Sequence, residues 1–333
     1  MAYEIRIAGT DVQFACQPEQ TVLDAALLAG IELPYSCRKG VCGNCAGGIA
    51  AGEYTAPPPN EATPPGQQLY CQCRPRSDLQ IVPEAWHRID PSARKTYTAK
   101  VFRNTLAAPD VSVLQLRLPA GKRAKFQAGQ YLQVVLADGS RRSYSMANPP
   151  HESDTLQLHV RHVPGGRFSQ VVGGLKAGDT LEVELPYGSF ELQEDSRAPM
   201  LCVVGGTGFA PVKSLLDDLV KKKIERPVTL LWGGRDAGGL YLLSAVERWQ
   251  KLLPGFRFVP VLEDAAAAQA LQGFHGRVDA AIRAECGSLA GHEVYCCGSP
   301  AMVAAVKKAC VDGQGLDPHR FYSDVFVEGP AVA

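Results

Sequence analysis

No stretch of the chain approaches the roughly 18 consecutive apolar residues of a membrane-spanning helix, so none is expected. The opening "MAYEIRIAGTDVQF" has no basic segment ahead of an apolar one, so a secretory leader of the usual pattern is not expected and a cytoplasmic protein is. Net charge is also lacking. Lys plus Arg and Asp plus Glu are both 34, so no overall field draws the chain to nucleic acid or to an anionic membrane. The 7 histidines are scattered, and no Ser-His-Asp set or pair of carboxylates marks a hydrolase. Repeats and low-complexity tracts are missing too, apart from "AAAA" at Ala265 to Ala268, read as a short loop or helix feature. What remains is a globular composition, 46% apolar over 333 residues, long enough for two or three domains.

Cysteine, by contrast, is abundant, with 11 residues. An odd number in a chain expected to meet reducing cytosol argues against a disulfide framework and for metal or redox chemistry. The pattern around these cysteines changes twice along the chain. Residues 1–90 combine strand-like "YEIRI" and "DVQFAC" with a helix on which Val22, Leu23, Ala26, Leu27 and Ile31 share a face, after a Thr21 cap with Asp24 three residues on. "APPPNEATPP" reads as an exposed loop, and "VPEAWHRIDPSARK" as a linker ending at 91–96. Residues 97–196 show period two, as in Leu114, Leu116 and Leu118 around Gln115 and Arg117, and predict an antiparallel barrel. Residues 197–333 alternate strand and helix ("MLCVV" then "PVKSLLDDLVKK", "VTLLW" then "SAVERWQKLL"), which predicts a parallel sheet with helices on both faces and a first helix starting at Pro211.

Cys37, Cys42 and Cys45 stand in "YSCRKGVCGNC" at the C-x4-C-x2-C spacing of plant-type [2Fe-2S] loops. Gly40 and Gly43 let the backbone curl round a cluster with N–H groups aimed at sulfur. A fourth thiolate is offered by both Cys71 and Cys73; on an extended strand they face opposite sides, so one can ligate. Zinc sites favour paired short spacings, which this loop lacks, and Gly43 with Asn44 disfavours the helix that a thioredoxin-like Cys42/Cys45 dithiol would open. Cys16, Cys202, Cys286 and Cys310 read as small buried hydrophobes.

"LPYSCRKGVCGNC" with "LYCQCRPRSD" resembles the N-terminal ferredoxin domain of reductases that serve Rieske-type aromatic-ring dioxygenases. That resemblance implies a β-grasp first domain and selects Cys71 as fourth ligand. It extends to "RRSYSMANPP", where it implies that Arg142 meets a flavin pyrophosphate, Tyr144 covers the isoalloxazine and Ser145 lies near N5. The chemistry suits those residue types, with a planar cation for phosphate, a ring face for a ring and a hydroxyl for a nitrogen. In "HVRHVPGGRFS" the family places phosphate at the turn of Gly165, Gly166 and Ser169. "VVGGTGFAP" meets the general G-x-G-x-x-G fingerprint only in part, yet is similar to the family's nicotinamide turn of Gly205, Gly206, Thr207, Gly208 and Pro211. "VYCCGSP" and "FYSDVF" resemble family motifs that put Cys297 and Gly298 near the nicotinamide, and Asp324 and Phe326 near the flavin edge. Arg235 and Tyr241 fall where the adenosine end is expected; the cation favours the 2′-phosphate of NADPH, while Asp236 leaves NADH possible.

The resemblance spans the chain in the order ferredoxin, flavin barrel, nicotinamide domain. It implies an NAD(P)H-dependent oxidoreductase with a [2Fe-2S] cluster and FAD rather than FMN, feeding the Rieske centre of a terminal oxygenase. A flavin is needed because a nicotinamide gives two electrons as hydride and a cluster takes one. A plant-type cluster lies near −400 mV and a Rieske centre at about −150 mV or above, so each electron falls through about 6 kcal/mol. Reductases of deoxysugar synthesis share this organisation and are the alternative. A flavin-free metal-binding carrier is the other, and predicts a protein without flavin absorbance.

Overall fold

The computed structural model describes residues 2–327, so the expected domain ends at 1 and 333 lie outside the described residues. The chain divides into two compact units, Met1–Arg94 and Lys95–Ala333.

In the first unit Tyr3–Ile7 and Gln13–Cys16 form an antiparallel hairpin whose alternation buries Ile5, Ile7, Phe14 and Cys16. Tyr3–Ile7 pairs in parallel with Leu79–Pro83, which is followed antiparallel by Ala46–Ala51 and then Gln68–Leu69, completing a 5-stranded sheet. Against it runs the helix Val22–Leu28, burying Val22, Leu23, Ala26 and Leu27 as its periodicity predicts, whereas Ile31, expected on the same helical face, lies beyond the helix in the strand Ile31–Glu32. Thr21 caps it, accepting from the Asp24 amide at 3.1 Å, a contact worth about 1 kcal/mol. The amides of Val22 and Leu23 donate to the carbonyls of Cys73 (2.9 Å) and Tyr70 (3.1 Å), which locks the segment carrying Cys71 to the helix start. This is a β-grasp arrangement.

In the second unit the period-two segments form a 6-stranded antiparallel sheet in the order Arg141–Ser145, Tyr131–Val135, Thr180–Tyr187, Lys95–Ala108, Val111–Arg117, Thr155–Arg161. Its end strands approach through an isolated Met146–Leu158 bridge, so the sheet curls into a barrel around Leu114, Leu116, Leu156, Leu158, Val160 and Val183. The remaining strands form a 6-stranded parallel sheet ordered Phe274–His275, Phe256–Leu262, Val228–Gly234, Met200–Gly205, Glu293–Gly298, Phe321–Val325. Strand order reverses between Met200–Gly205 and Glu293–Gly298, the position at which open α/β sheets bind ligands beyond the strand C-termini.

One further local feature differs from expectation. The helix after the first of these strands begins at Phe209, ahead of Pro211, because Gly206–Gly208 makes a 3-10 turn that runs directly into it. Pro211 then falls in the first helical turn, where its missing N–H costs nothing. "AAAA" is helical, within Ala265–Ala270, capped by Asp264 accepting from the Ala267 amide at 2.7 Å.

Candidate functional site

The cysteine loop follows the Val22–Leu28 helix and turns on three left-handed residues, Arg38 (φ 55°), Gly40 (φ 75°) and Gly43 (φ 81°). A Cβ on Gly43 would lie 2.7 Å from the Ala62 carbonyl, and one on Gly40 2.9 Å from Gln72 Cγ, so the loop is pressed against its neighbours. Asn60 donates to the Gly40 carbonyl at 2.9 Å; the proline-rich segment, though largely exposed, therefore braces the cysteines.

The four thiols stand as two pairs, with side-chain hydrogen bonds joining Cys37 to Cys42 and Cys45 to Cys71. In each pair one sulfur accepts from the other. Cys37 is thereby lowered to about 5 and Cys71 to about 7, while Cys42 and Cys45 are pushed up by the same bonds and by burial. Backbone amides also converge: Lys39 donates to Cys37 Sγ at 3.3 Å, joined there by Val41 and Cys42, and the Gly40 amide serves Cys71. Among the described residues no three or more His, Cys, Asp or Glu side chains gather round one point as a single metal ion would require. Two thiol pairs within an amide-lined loop fit a two-iron cluster, which takes two thiolates per iron and gains stability from N–H groups on sulfur. Cys73, fully buried and raised to about 12 by burial with Cys16 adding to it, lies apart from both pairs.

On the barrel, Arg142 and Tyr144 share one face of the Arg141–Ser145 strand. The Tyr144 ring meets Phe168 of the short helix Arg167–Val172 at 5.1 Å, which brings the R-x-Y-S strand beside the turn of Gly165, Gly166 and Ser169. Burial raises the Tyr144 hydroxyl to about 12, against the opposing charge of Arg142. Gly165 is left-handed (φ 73°), and Gly166 leaves the helix start without a side-chain cap. Ser169 Oγ sits 2.9 Å from the Val163 carbonyl and 3.0 Å from that of Gly166, holding the turn closed. A guanidinium, a half-covered ring and uncapped amides on one side of the barrel fit a flavin nucleotide.

Ser145 points the other way, donating to Asp324 Oδ2 at 3.2 Å, with both residues buried. Asp324 pairs in register with Cys297, whose thiol is pushed well up by burial and then by the Asp324 charge. Phe326 follows, its amide donating to the Gly298 carbonyl at 2.9 Å. Gly208 runs so close that a Cβ there would come within 2.3 Å of the Cys297 carbonyl, while Gly205 and Gly298 leave space filled by Met302 Sδ. Ser145, Cys297, Asp324 and Phe326 thus meet where barrel and parallel sheet adjoin, beside Gly205, Gly206, Thr207 and Gly208. Arg235 lies apart from them, exposed just beyond the neighbouring strand Val228–Gly234.

Three residues that the motifs do not single out also belong here. Arg161 on the barrel places its guanidinium 2.9 Å from where a Gly206 Cβ would be, so a cation overhangs the dinucleotide turn while its other amine donates to Asp110 at 2.9 Å. His159, on the same face of that strand, bonds to Tyr241, which is therefore engaged at the barrel side. Lys213 is buried and donates to the Ala147 carbonyl and to Asp217, both at 3.0 Å. A strand alternation marks Arg161 and His159 as one face but gives no hint of what that face meets.

Three families match in the same order: "2Fe-2S iron-sulfur cluster binding domain" over residues 5–76, "Oxidoreductase FAD-binding domain" over 98–192 and "Oxidoreductase NAD-binding domain" over 201–308. The chain is 55% identical to terephthalate 1,2-dioxygenase reductase component 2 of a Comamonas species, covering 99% of each chain. The chain belongs to the family of iron-sulfur flavoprotein reductases. A second relative, the CDP-6-deoxy-L-threo-D-glycero-4-hexulose-3-dehydrase reductase of Yersinia pseudotuberculosis, is 32% identical over 98% of this chain and 99% of its own. Among solved structures, an Amycolatopsis cytochrome P450 reductase matches with a TM-score of 0.77 and 33% identity, over 99% of this chain and all of the other. The reductase is an oxidoreductase that transfers electrons from NAD(P)H through FAD and a [2Fe-2S] cluster. No helix among its described residues is long and apolar enough to cross a membrane.

Proposed function

We propose that this reductase passes electrons from NADPH to the Rieske centre of a terminal oxygenase of the terephthalate 1,2-dioxygenase type. The observation that carries the reading is the 55% identity maintained across 99% of both chains. The relative of deoxysugar synthesis stands at 32%. A flavin supplies the conversion between hydride and single-electron chemistry, and a cluster supplies the one-electron port. In this reading Cys37, Cys42, Cys45 and Cys71 hold the cluster; Arg142, Tyr144, Gly165, Gly166 and Ser169 hold FAD; Gly205, Gly206, Thr207, Gly208, Pro211 and Gly298 line the dinucleotide path. Ser145, Cys297, Asp324 and Phe326 surround the point of hydride transfer, and Arg161 adds a cation at the pyrophosphate turn. Domain limits near residues 90 and 196, and a cytoplasmic setting that supplies NAD(P)H, complete it. The test is reconstitution with a terephthalate 1,2-dioxygenase oxygenase component, following terephthalate-dependent NADPH oxidation. Failure there, with ready reduction of a deoxysugar dehydratase, would reject the partner.

NADPH is favoured because Arg235 is exposed and in no ion pair among the described residues, whereas the Asp236 carboxylate accepts from the Gly239 amide at 3.2 Å and is held in its own turn. Arg235→Ala is expected to lower kcat/KM for NADPH about tenfold and leave that for NADH nearly unchanged, the loss of one charge-assisted phosphate contact. Equal losses with both nucleotides would show that Arg235 does not read the 2′-phosphate.

The partner surface is proposed at the cysteine loop, where Lys39 and Val41 are exposed. Beside them Arg38 forms an ion pair with Asp24. Reversing Arg38 and Lys39 to Glu should slow transfer to the oxygenase, more so at low salt, with flavin reduction by NADPH unaltered. Unchanged transfer would mean docking elsewhere.

A further inference from the structure

Barrel and nicotinamide domain meet through a ring of buried polar contacts. The helix Phe209–Lys222 is pinned to the segment after the R-x-Y-S strand by Lys213 Nζ on the Ala147 carbonyl (3.0 Å) and Ser214 Oγ on the Asn148 carbonyl (2.8 Å). His159 differs from these pins. It is 3% exposed, its Nδ1 lies 2.8 Å from the Tyr241 hydroxyl, and its Nε2 is buried with no hydrogen-bond partner among the described residues. Its ring stacks on Phe209, the first residue of the helix that follows the glycine turn, with centroids 6.2 Å apart and planes 16° from parallel. Tyr241 presents its edge to the same ring at 5.4 Å, and Phe209 stacks in turn on Trp232 at 3.8 Å. One barrel side chain is thus inserted into the aromatic core of the nicotinamide domain, directly behind the turn of Gly206 to Gly208. Burial, with the charge of Lys213 adding to it, holds the imidazole down to about 3, so the contact is made by a neutral ring.

A ring that serves only to fill space would be replaced at no cost by Phe or Leu, without leaving a buried nitrogen unpaired. We propose that His159 is a positioning residue, which through its bond to Tyr241 and its stack on Phe209 holds the nicotinamide turn at the separation from Ser145 that hydride transfer requires. The inference rests on hydride transfer occurring beside Ser145, as proposed above. Ser145 and His159 belong to different strands of one barrel, so displacement of the glycine turn relative to His159 is displacement relative to Ser145.

The test uses the full-length holoprotein with three variants: His159→Phe, which keeps a ring; His159→Asn, which keeps a hydrogen-bonding atom near Nδ1; and Tyr241→Phe, which removes only the hydroxyl. Anaerobic stopped-flow reduction by NADPH gives the limiting rate and the apparent Kd. We expect His159→Phe and Tyr241→Phe each to lower the limiting rate about tenfold, the scale on which small misplacement acts. The Kd should stay within about twofold, and the double variant should be no slower than either single. His159→Asn should recover part of the rate. Hydrogen exchange should rise in the amides of 209–215 in the two Phe variants at unchanged FAD content. Unchanged limiting rates, additive losses, or a loss confined to Kd would each overturn the proposal, the last by making His159 a nucleotide contact. Absent flavin reduction in the unsubstituted protein would instead defeat the reading on which it rests.

Discussion

Cys71→Ser is expected to yield a reductase that still oxidises NADPH with an artificial two-electron acceptor but transfers no electrons to an oxygenase. Its visible spectrum should lack the cluster bands and retain those of flavin. The reason is geometric. Cys71 pairs with Cys45, its sulfur receives the Gly40 amide and lies 3.6 Å from Gln72 Nε2, and the segment bearing it is tied by backbone bonds to the start of the Val22–Leu28 helix. Serine offers a harder, less readily ionised ligand in the same place, so the iron that Cys45 and Cys71 would share loses half its thiolates. Cys73→Ser is the control. That thiol is fully buried and separate from the two pairs, and its loss should cost stability while leaving the cluster spectrum intact. Loss of the cluster in Cys73→Ser with retention in Cys71→Ser would reverse the assignment.

Ser145→Ala should lower the limiting rate of flavin reduction by about 10²-fold, the usual consequence of removing one preorganised hydrogen-bonding group from a buried reaction site. Ser145 Oγ donates to Asp324 Oδ2 at 3.2 Å, and Asp324 stands beside Cys297 on the adjoining strand, so the hydroxyl is oriented before any nucleotide arrives. Removing it also leaves a buried carboxylate short of a donor. Asp324→Asn, which preserves the shape and keeps a hydrogen-bonding group opposite Ser145, should cost less than Ser145→Ala. Apparent Kd for NADPH and FAD content measured alongside separate a rate effect from lost binding. A Ser145→Ala protein reduced at the unsubstituted rate would remove Ser145 from the reaction.

The cysteine spacing is readable because a cluster loop is local: three ligands within one turn must carry their distances in the chain itself. Strand alternation in the barrel is readable for the same reason, since one buried face imposes period two on consecutive residues, as Leu114, Leu116 and Leu118 show. The helix start at Phe209 is not, because proline marks where a helix can begin, whereas here a glycine turn winds into it earlier. From residue types alone Cys71 and Cys73 are equivalent, and resemblance is needed to prefer one. Their separation into a thiol paired with Cys45 and a thiol packed in the core depends on contacts between segments far apart in the chain.

The sequence by itself therefore determined the order of the three modules and the spacing of each motif, because these reside in short runs of residues, while the choice of FAD came from the family resemblance those runs carry and NADPH stayed open against NADH. Only the tertiary structure decided how the motifs work together: that Arg38 is engaged by Asp24, that Arg161 overhangs the nicotinamide turn, and that His159 reaches Tyr241 across the domain boundary. Those contacts join residues that strand order and sheet packing bring close, and no local periodicity encodes the distance between them.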